Sequence, residues 1–266
     1  VRPLDTGAIQ VHRFRYIFPK QLHIMGHARA LRADVQITPL AYFLLPSYLV
    51  AGTLALNNLT RRQSSEVIHV HWVLPNGLMA ALVSAVRRIP FIVSLHGSDI
   101  FLARKSKLFS SVARYIFRNA SGVTACSPEL LEVAYQLGAP SNSILLPYGV
   151  DTEKFHPRFR DVEFRKTITN RGDILIVAIG RLVYKKGFDT LVAAMPGVIK
   201  EYPNVRLVIA GEGPLKVPLI QQVDDLGISK NVALIGNLSW DQVPSFMASA
   251  EIFVLPSVKD RFGNVD

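Results

Sequence analysis

The sequence predicts an α/β protein built from two doubly wound parallel-sheet units facing a central cleft. Three observations predict it. Short apolar runs alternate with stretches of helical periodicity, the pattern of parallel strands joined by crossover helices. The alternation breaks once, from Asp151 to Gly172, where the chain is polar and charged and carries Pro157. Several apolar runs end in glycine-bearing loops, and open α/β sheets bind ligands beyond the carboxyl ends of their strands. A chain of 266 residues has room for two ordinary domains. They are assigned to residues 1–150 and 173–266, with a linker over 151–172.

In the first unit, strands are expected at Ile9–Tyr16, Val67–Val70, Phe91–Leu95, Val123–Ala125 and Ile144–Leu146. Helices are expected at Asn76–Arg88, Arg104–Asn119 and Pro128–Leu137. The last has clear boundaries: Ser127 is a natural N-cap, Pro128 suits a first turn, and Gly138 closes the end. Residues 39–59 are nearly uncharged and long enough to span a bilayer. Pro46 and the polar Ser47, Thr53, Asn57 and Asn58 favour a buried or interfacial helix pair instead. In the second unit, strand Ile174–Ile179, helix Phe188–Lys200, strand Val205–Ala210 and helix Leu215–Leu226 follow in turn. Strand Val232–Ile235, helix Trp240–Ala248 and strand Ile252–Leu255 complete the series.

Apolar residues make up 49% of the chain, ample for a core. The one cysteine, Cys126, excludes an internal disulfide and a cysteine-rich metal site. The chain opens on Val1 without a signal-peptide pattern and reads as starting inside a longer protein. Its charge of +10 is uneven. Residues 1–150 hold 15 Lys and Arg against 6 Asp and Glu, whereas 151–266 hold 15 against 14. A basic first half suits an anionic partner or simply a solvated surface.

Chemistry concentrates at three strand ends. In IVAIGRLVYKKGFDTL, an apolar strand stops at Gly180, and Arg181, Lys185 and Lys186 follow before a helix begins near Gly187. A helix N-terminus favours phosphate, arginine holds phosphate oxygens bidentately, and lysine adds a point charge. Arg181 and Lys186 together suit a diphosphate, and Lys185 fits a surface lysine. In VIAGEGPL, Gly211 and Gly213 leave room for a ligand, while Glu212 suits a sugar hydroxyl or an ordinary helix start. In SLHGSD, His96 follows a strand and could exchange a proton or bond substrate oxygens. His69 and His71 share a strand face, but no third ligand is suitably spaced, so a metal is not expected. His71, at the strand end, is a candidate for substrate contact. No phosphate-binding P-loop, nucleophile elbow or stacking nucleic-acid surface is present, and no nucleic-acid partner is expected.

Seven blocks in order carry a resemblance. They are VIHVHWVLPNGL, IVSLHGSDIF, ASGVTACSPEL, ILLPYGVDTEKFHP, IVAIGRLVYKKGFDTL, LVIAGEGPL and ALIGNLSWDQVPSFMASAEIFVLPS, over about Val67 to Ser257. The chain resembles retaining glycosyltransferase family 4, with the GT-B fold of two Rossmann-like domains. The resemblance implies transfer of a hexose from a UDP- or GDP-linked sugar to a polysaccharide, lipid-linked or other hydroxyl acceptor, with retention of configuration. It implies that Arg181 and Lys186 hold the donor diphosphate and stabilise the leaving charge. It places Gly180, Gly211, Glu212, Ile235, Gly236 and Leu238 on the donor side, with 234–238 beside the base. His96 would meet the transferred sugar, with His71 and Asp99 on the acceptor side. No cofactor or catalytic metal is implied, the nucleotide sugar being substrate. A cytoplasmic location is implied, with peripheral contact between the basic first half and an acidic inner membrane face.

Two departures accompany the resemblance. The family's opening strand and glycine-rich loop are not found before Ile9. Of its two acidic residues eight positions apart, Asp260 or Asp266 would be the first, which puts the second beyond the chain. Both domains are therefore expected to be incomplete and the chain itself inactive. A nucleotide-sugar 2-epimerase on the same fold and a non-catalytic nucleotide-sugar-binding scaffold stand as alternatives.

Overall fold

The computed structural model describes residues 4–5, 9–25, 31–32, 36–37, 39–97, 99–100, 103, 106–170 and 172–258. The chain divides into two compact units, Val1–Tyr148 and Gly149–Asp266.

The first unit opens with two short antiparallel pairs, β1 (Leu4–Asp5) with β2 (Gln10–Val11) and β3 (Leu31–Arg32) with β4 (Gln36–Ile37). A long helix α1 (Pro39–Arg62) follows. Strands β5 (Ile68–His71), β6 (Phe91–Leu95), β7 (Gly122–Ala125) and β8 (Ile144–Leu145) then form one parallel sheet in that order. Helices α2 (Leu78–Arg87), α3 (Lys107–Asn119) and α4 (Pro128–Gln136) connect them. Ser106 and Ser127 cap α3 and α4 by accepting the Phe109 and Leu130 N–H groups. Phe91, Leu95, Ile116 and Phe117 fill the core.

The second unit begins with α5 (Val162–Ile168). Its parallel sheet runs β11-β10-β9-β12, made of β9 (Ile174–Ile179), β10 (Val205–Ala210), β11 (Val232–Gly236) and β12 (Ile252–Phe253). Helices α6 (Phe188–Glu201), α7 (Lys216–Asp225) and α8 (Val243–Ala248) link the strands. Strand side chains alternate faces and both faces are covered, so β9 is apolar throughout and β10 is apolar apart from Arg206. Ile176, Leu207 and Ile209 pack with Phe188, Met195 and Leu219 on one face. Leu175, Val177 and Val208 pack with Ile168 and Phe246 on the other. The expected α/β class with parallel sheets is the one observed.

Three expectations are corrected. Strand Ile9–Tyr16 shrinks to β2, because Phe14 and Tyr16 turn their rings onto Tyr48 of α1, 5.4 and 5.2 Å between centroids. The helix pair over 39–59 is one helix of 24 residues, with Pro46 absorbed on its exposed side. It is long and apolar enough to cross a membrane, and only 17% of its most apolar window is buried. The segment read as a linker contains α5, capped by Asp161, and Ile168 joins the core. Glu251 pins this segment: it meets Arg160 and Arg165 at 3.0 Å each and accepts the Leu175 N–H at 2.9 Å.

Candidate active site

Each unit carries candidate functional residues at the carboxyl ends of its own strands. In the second unit, the loops after β9, β10 and β11 are laced by backbone hydrogen bonds. Gly180 N–H donates to Ala210 O at 3.0 Å, and Gly211 N–H donates to Gly236 O at 2.8 Å. Leu182 N–H reaches Glu212 O at 2.9 Å, and Leu215 N–H returns to Leu182 O at 3.0 Å. The lacing brings together Gly180, Arg181, Gly211, Glu212 and Gly236, residues far apart in sequence.

Arg181 is exposed and Lys185 and Lys186 are half-buried. The two lysines end a 3-10 turn, Tyr184–Lys186, that runs through Gly187 into α6 without a side-chain cap. The backbone requirement for glycine falls at Gly187 and Gly211 and not at Gly180. Gly180 has no left-handed backbone, and a Cβ there would make an ordinary 3.4 Å contact with Phe188. Gly187 has φ +65°, and its Cβ would lie 2.0 Å from Pro256 O. Gly211 has φ +144°, and its Cβ would lie 1.9 Å from Gly180 O. These two positions let the cationic turn and the neighbouring loop approach their surroundings at backbone distance.

Glu212 Oε1 accepts a hydrogen bond from Lys216 Nζ at 2.6 Å. Sequence reading missed Lys216, although Glu and Lys four apart at a helix start are a recognisable pair. Ile235 and Leu238 are half-buried and pack against the Phe246 cluster, so they support the loop from the core side.

In the first unit, β5 and β6 pair in parallel with His71 opposite Ser94. His71 Nδ1 lies 2.8 Å from His96 Nε2, and His96 Nδ1 bonds the Tyr148 hydroxyl. The rings form a file, His69 to His71 at 4.6 Å, His71 to His96 at 5.0 Å and His96 to Tyr148 at 5.8 Å. Two imidazole nitrogens at that distance share one proton, one donating and one accepting. Burial holds His96 below the ordinary histidine value; Asp99 pulls it up and His71 pushes it further down. His69 is held down by burial and by His71 and His96. Both are therefore neutral at physiological pH. His69 bonds Ser94 Oγ at 2.7 Å, which in turn lies 2.6 Å from Thr124 Oγ1.

Asp99, expected on the acceptor side, lies in the first unit between the loops after β5 and β6. It is 3% exposed, and its carboxylate accepts the Val73 N–H at 2.9 Å and the His96 N–H at 3.2 Å. It ties the loops after β5 and β6 together and so positions His96. Burial pushes its carboxyl up, against the N–H groups of Val73, His96, Asp99 and Ile100. Tyr148 was not anticipated: only folding sets it 52 residues along from His96 and beside its ring. Partial burial, Cys126 and Asp99 push its phenol up to about 12. Among the described residues no group of three or more His, Cys, Asp or Glu is arranged to hold a metal ion. Asp260 and Asp266 lie outside the described residues.

Loops gathered at the carboxyl ends of parallel strands are where open α/β sheets bind ligands. Comparison with known proteins makes the assignment specific. The family model Glycosyltransferase Family 4 matches residues 10–154, and Glycosyl transferases group 1 matches 159–265. The chain belongs to glycosyltransferase family 4. It is 23% identical to N-acetyl-alpha-D-glucosaminyl L-malate synthase of Bacillus anthracis, over 87% of this chain and 61% of that protein. It is 26% identical to the phosphatidylinositol N-acetylglucosaminyltransferase gpi3 subunit of Schizosaccharomyces pombe, over 78% of this chain and 45% of that one. The chain thus spans about half the length of such relatives. HepE of Anabaena, crystallised with UDP, superposes with TM-score 0.65 at 19% identity, covering 84% of this chain and 65% of HepE. Sucrose-phosphate synthase of Thermosynechococcus elongatus gives TM-score 0.62 at 18% identity, over 86% and 60%. These neighbours share the GT-B fold with this chain.

Proposed function

We propose that the protein of which this chain is part is a retaining hexosyltransferase. It moves a sugar from a UDP- or GDP-linked donor to a hydroxyl acceptor on a polysaccharide or lipid-linked glycan. The laced cationic turn carries the reading: Arg181 and Lys186 stand at a strand end before an uncapped helix of 14 residues. The bond from the anomeric carbon to the diphosphate oxygen breaks with its electron pair staying on phosphate, the acceptor hydroxyl oxygen bonds the same carbon, and the hydroxyl proton passes to the departing phosphate oxygen. Two fixed cations and the helix N-terminus offset that charge as it grows. Glu212, steadied by Lys216, is set to accept from donor hydroxyls, with Gly236 and the 234–238 loop beside the base. Neutral His96, steadied by His71, Tyr148 and Asp99, is set to bond the transferred sugar. UDP in the HepE structures supports a uridine donor. The basic first unit would make peripheral contact with an acidic membrane at the cytoplasmic face.

Calorimetric titration of UDP and GDP into this chain and into the Arg181→Ala, Lys186→Ala double variant tests the donor reading. One nucleotide should bind, and the double variant should lose at least tenfold in affinity, about 1.4 kcal/mol. Equal binding by the double variant would remove the diphosphate role.

A further inference from the structure

His71 closes one end of the histidine file, and its surroundings fix what it can offer a ligand. Its main chain is held by α1 through one side chain: Asn76 Nδ2 donates to His71 O at 3.0 Å, and Asn76 Oδ1 accepts from the Tyr48 hydroxyl at 3.1 Å. Its ring is held by His96, Nδ1 lying 2.8 Å from His96 Nε2. His71 is exposed, and among the described residues none bonds its other ring nitrogen, Nε2. The His69 ring, 4.6 Å away, is bonded to Ser94 Oγ at 2.7 Å instead of to His71.

Each contact in the file from Tyr148 to His71 holds one proton, so the direction of the first bond sets the others. The first bond joins the Tyr148 hydroxyl to His96 Nδ1. A phenol is a stronger acid than a neutral imidazole N–H, and an imidazole nitrogen is a stronger base than a phenol oxygen. The hydroxyl therefore donates and His96 Nδ1 accepts. The phenol keeps its proton, because burial, Cys126 and Asp99 hold it up at about 12. His96 is neutral, so its single ring proton sits on Nε2 and meets His71 Nδ1. A neutral His71 that accepts at Nδ1 carries its own proton on Nε2. Three donors thus point one way along the file, and bonds aligned like this strengthen one another. The reverse order would pair the weaker acid with the weaker base at Tyr148.

Both ring nitrogens of His96 are engaged as the site stands, and a sugar oxygen bonds that ring by displacing one neighbour. His71 Nε2 needs no such exchange.

We propose that Tyr148 is a positioning residue that orders this file, and that it makes His71 a hydrogen-bond donor through Nε2, one that holds the acceptor hydroxyl by an oxygen lone pair and does not take its proton. This inference rests on the transferase reading and deepens it. His71 orients the attacking oxygen, and with Nε2 already protonated it is no base for the hydroxyl. The hydroxyl proton is left to pass to the departing phosphate oxygen.

Nitrogen-15 NMR of the histidine rings in the 266-residue chain, above the ordinary histidine titration range, tests the order of the file. His96 and His71 should both carry their proton on Nε2, with the His96 Nδ1 resonance displaced by the hydrogen bond it accepts. Tyr148→Phe keeps the ring and removes the hydroxyl, at a position 68% exposed where the chain should still fold. It should return the His96 Nδ1 resonance to that of an unbonded ring nitrogen and lower the share of His71 protonated at Nε2. A proton on Nδ1 of either histidine in the unaltered chain reverses the file and overturns the inference. Ring spectra that Tyr148→Phe leaves unchanged overturn it as well. Calorimetric titration of UDP into the unaltered sample separates this inference from the donor reading. UDP binding with a reversed file removes the His71 role alone, whereas an ordered file without UDP binding removes the donor site and leaves the ordering by Tyr148 standing.

Discussion

His96 shows how a single residue acquires its chemistry from neighbours. Burial depresses its proton affinity, and the bond to His71 requires one nitrogen of the pair to accept. In the folded chain it therefore binds a proton less readily than in the unfolded chain, where its value is 6.5. The sign follows from linkage: above that pH it contributes nothing to stability, and as pH falls below it the unfolded chain takes up more protons and stability declines. A histidine NMR titration should find the His96 midpoint below 6.5. His71→Ala should raise it, since one depressing neighbour is gone. A midpoint at or above the ordinary value in the unaltered chain would contradict the geometry.

At the scale of the element, Glu251 decides whether the segment before β9 is a tether or part of the domain. It reaches Arg160 and Arg165 ahead of the sheet and the Leu175 N–H on it. Burial raises its carboxyl, but that N–H and the two arginines outweigh the effect and hold it below the ordinary 4.5. A depressed carboxylate stabilises above its unfolded value and loses the contribution as pH falls through the folded one. Glu251→Gln should cost about 1–2 kcal/mol at neutral pH, reduced from a fully buried pair because the side chain is partly exposed. Urea melts at neutral and acid pH check this: the difference between variant and parent should shrink as pH falls. A constant difference would mean that shape, not charge, holds α5.

For the whole molecule, each unit has its own core, and the two should respond separately to damage. Phe117 is fully buried in the first and Phe246 in the second. Truncating a buried phenylalanine to alanine costs about 3–5 kcal/mol. Phe117→Ala should speed amide exchange in β5 to β8 and leave β9 to β12 protected, and Phe246→Ala should do the reverse. Hydrogen exchange with mass spectrometry resolves this, and exchange rising everywhere in either variant would mean one cooperative core.

The class of fold, and the strand ends where chemistry gathers, were legible in the sequence because they rest on local rules. Parallel strands buried on both faces read as near-continuous apolar runs, as β9 does and as β10 does apart from Arg206, and caps such as Ser127 announce themselves within four residues. The resemblance to glycosyltransferase family 4 was legible for a related reason, since its motifs are runs of neighbours in the chain. What required the tertiary structure were relations across distance. Asp99 reads as an open acid until the fold buries it under two loops, and Tyr148 is unremarkable until it meets His96. Gly187 and Gly211 must be glycine because Pro256 O and Gly180 O arrive there from distant parts of the chain. The apolar run over 39–59 cannot say from composition which side faces outward; that depends on what α1 packs against, and the structure leaves Phe43 and Val50 uncovered.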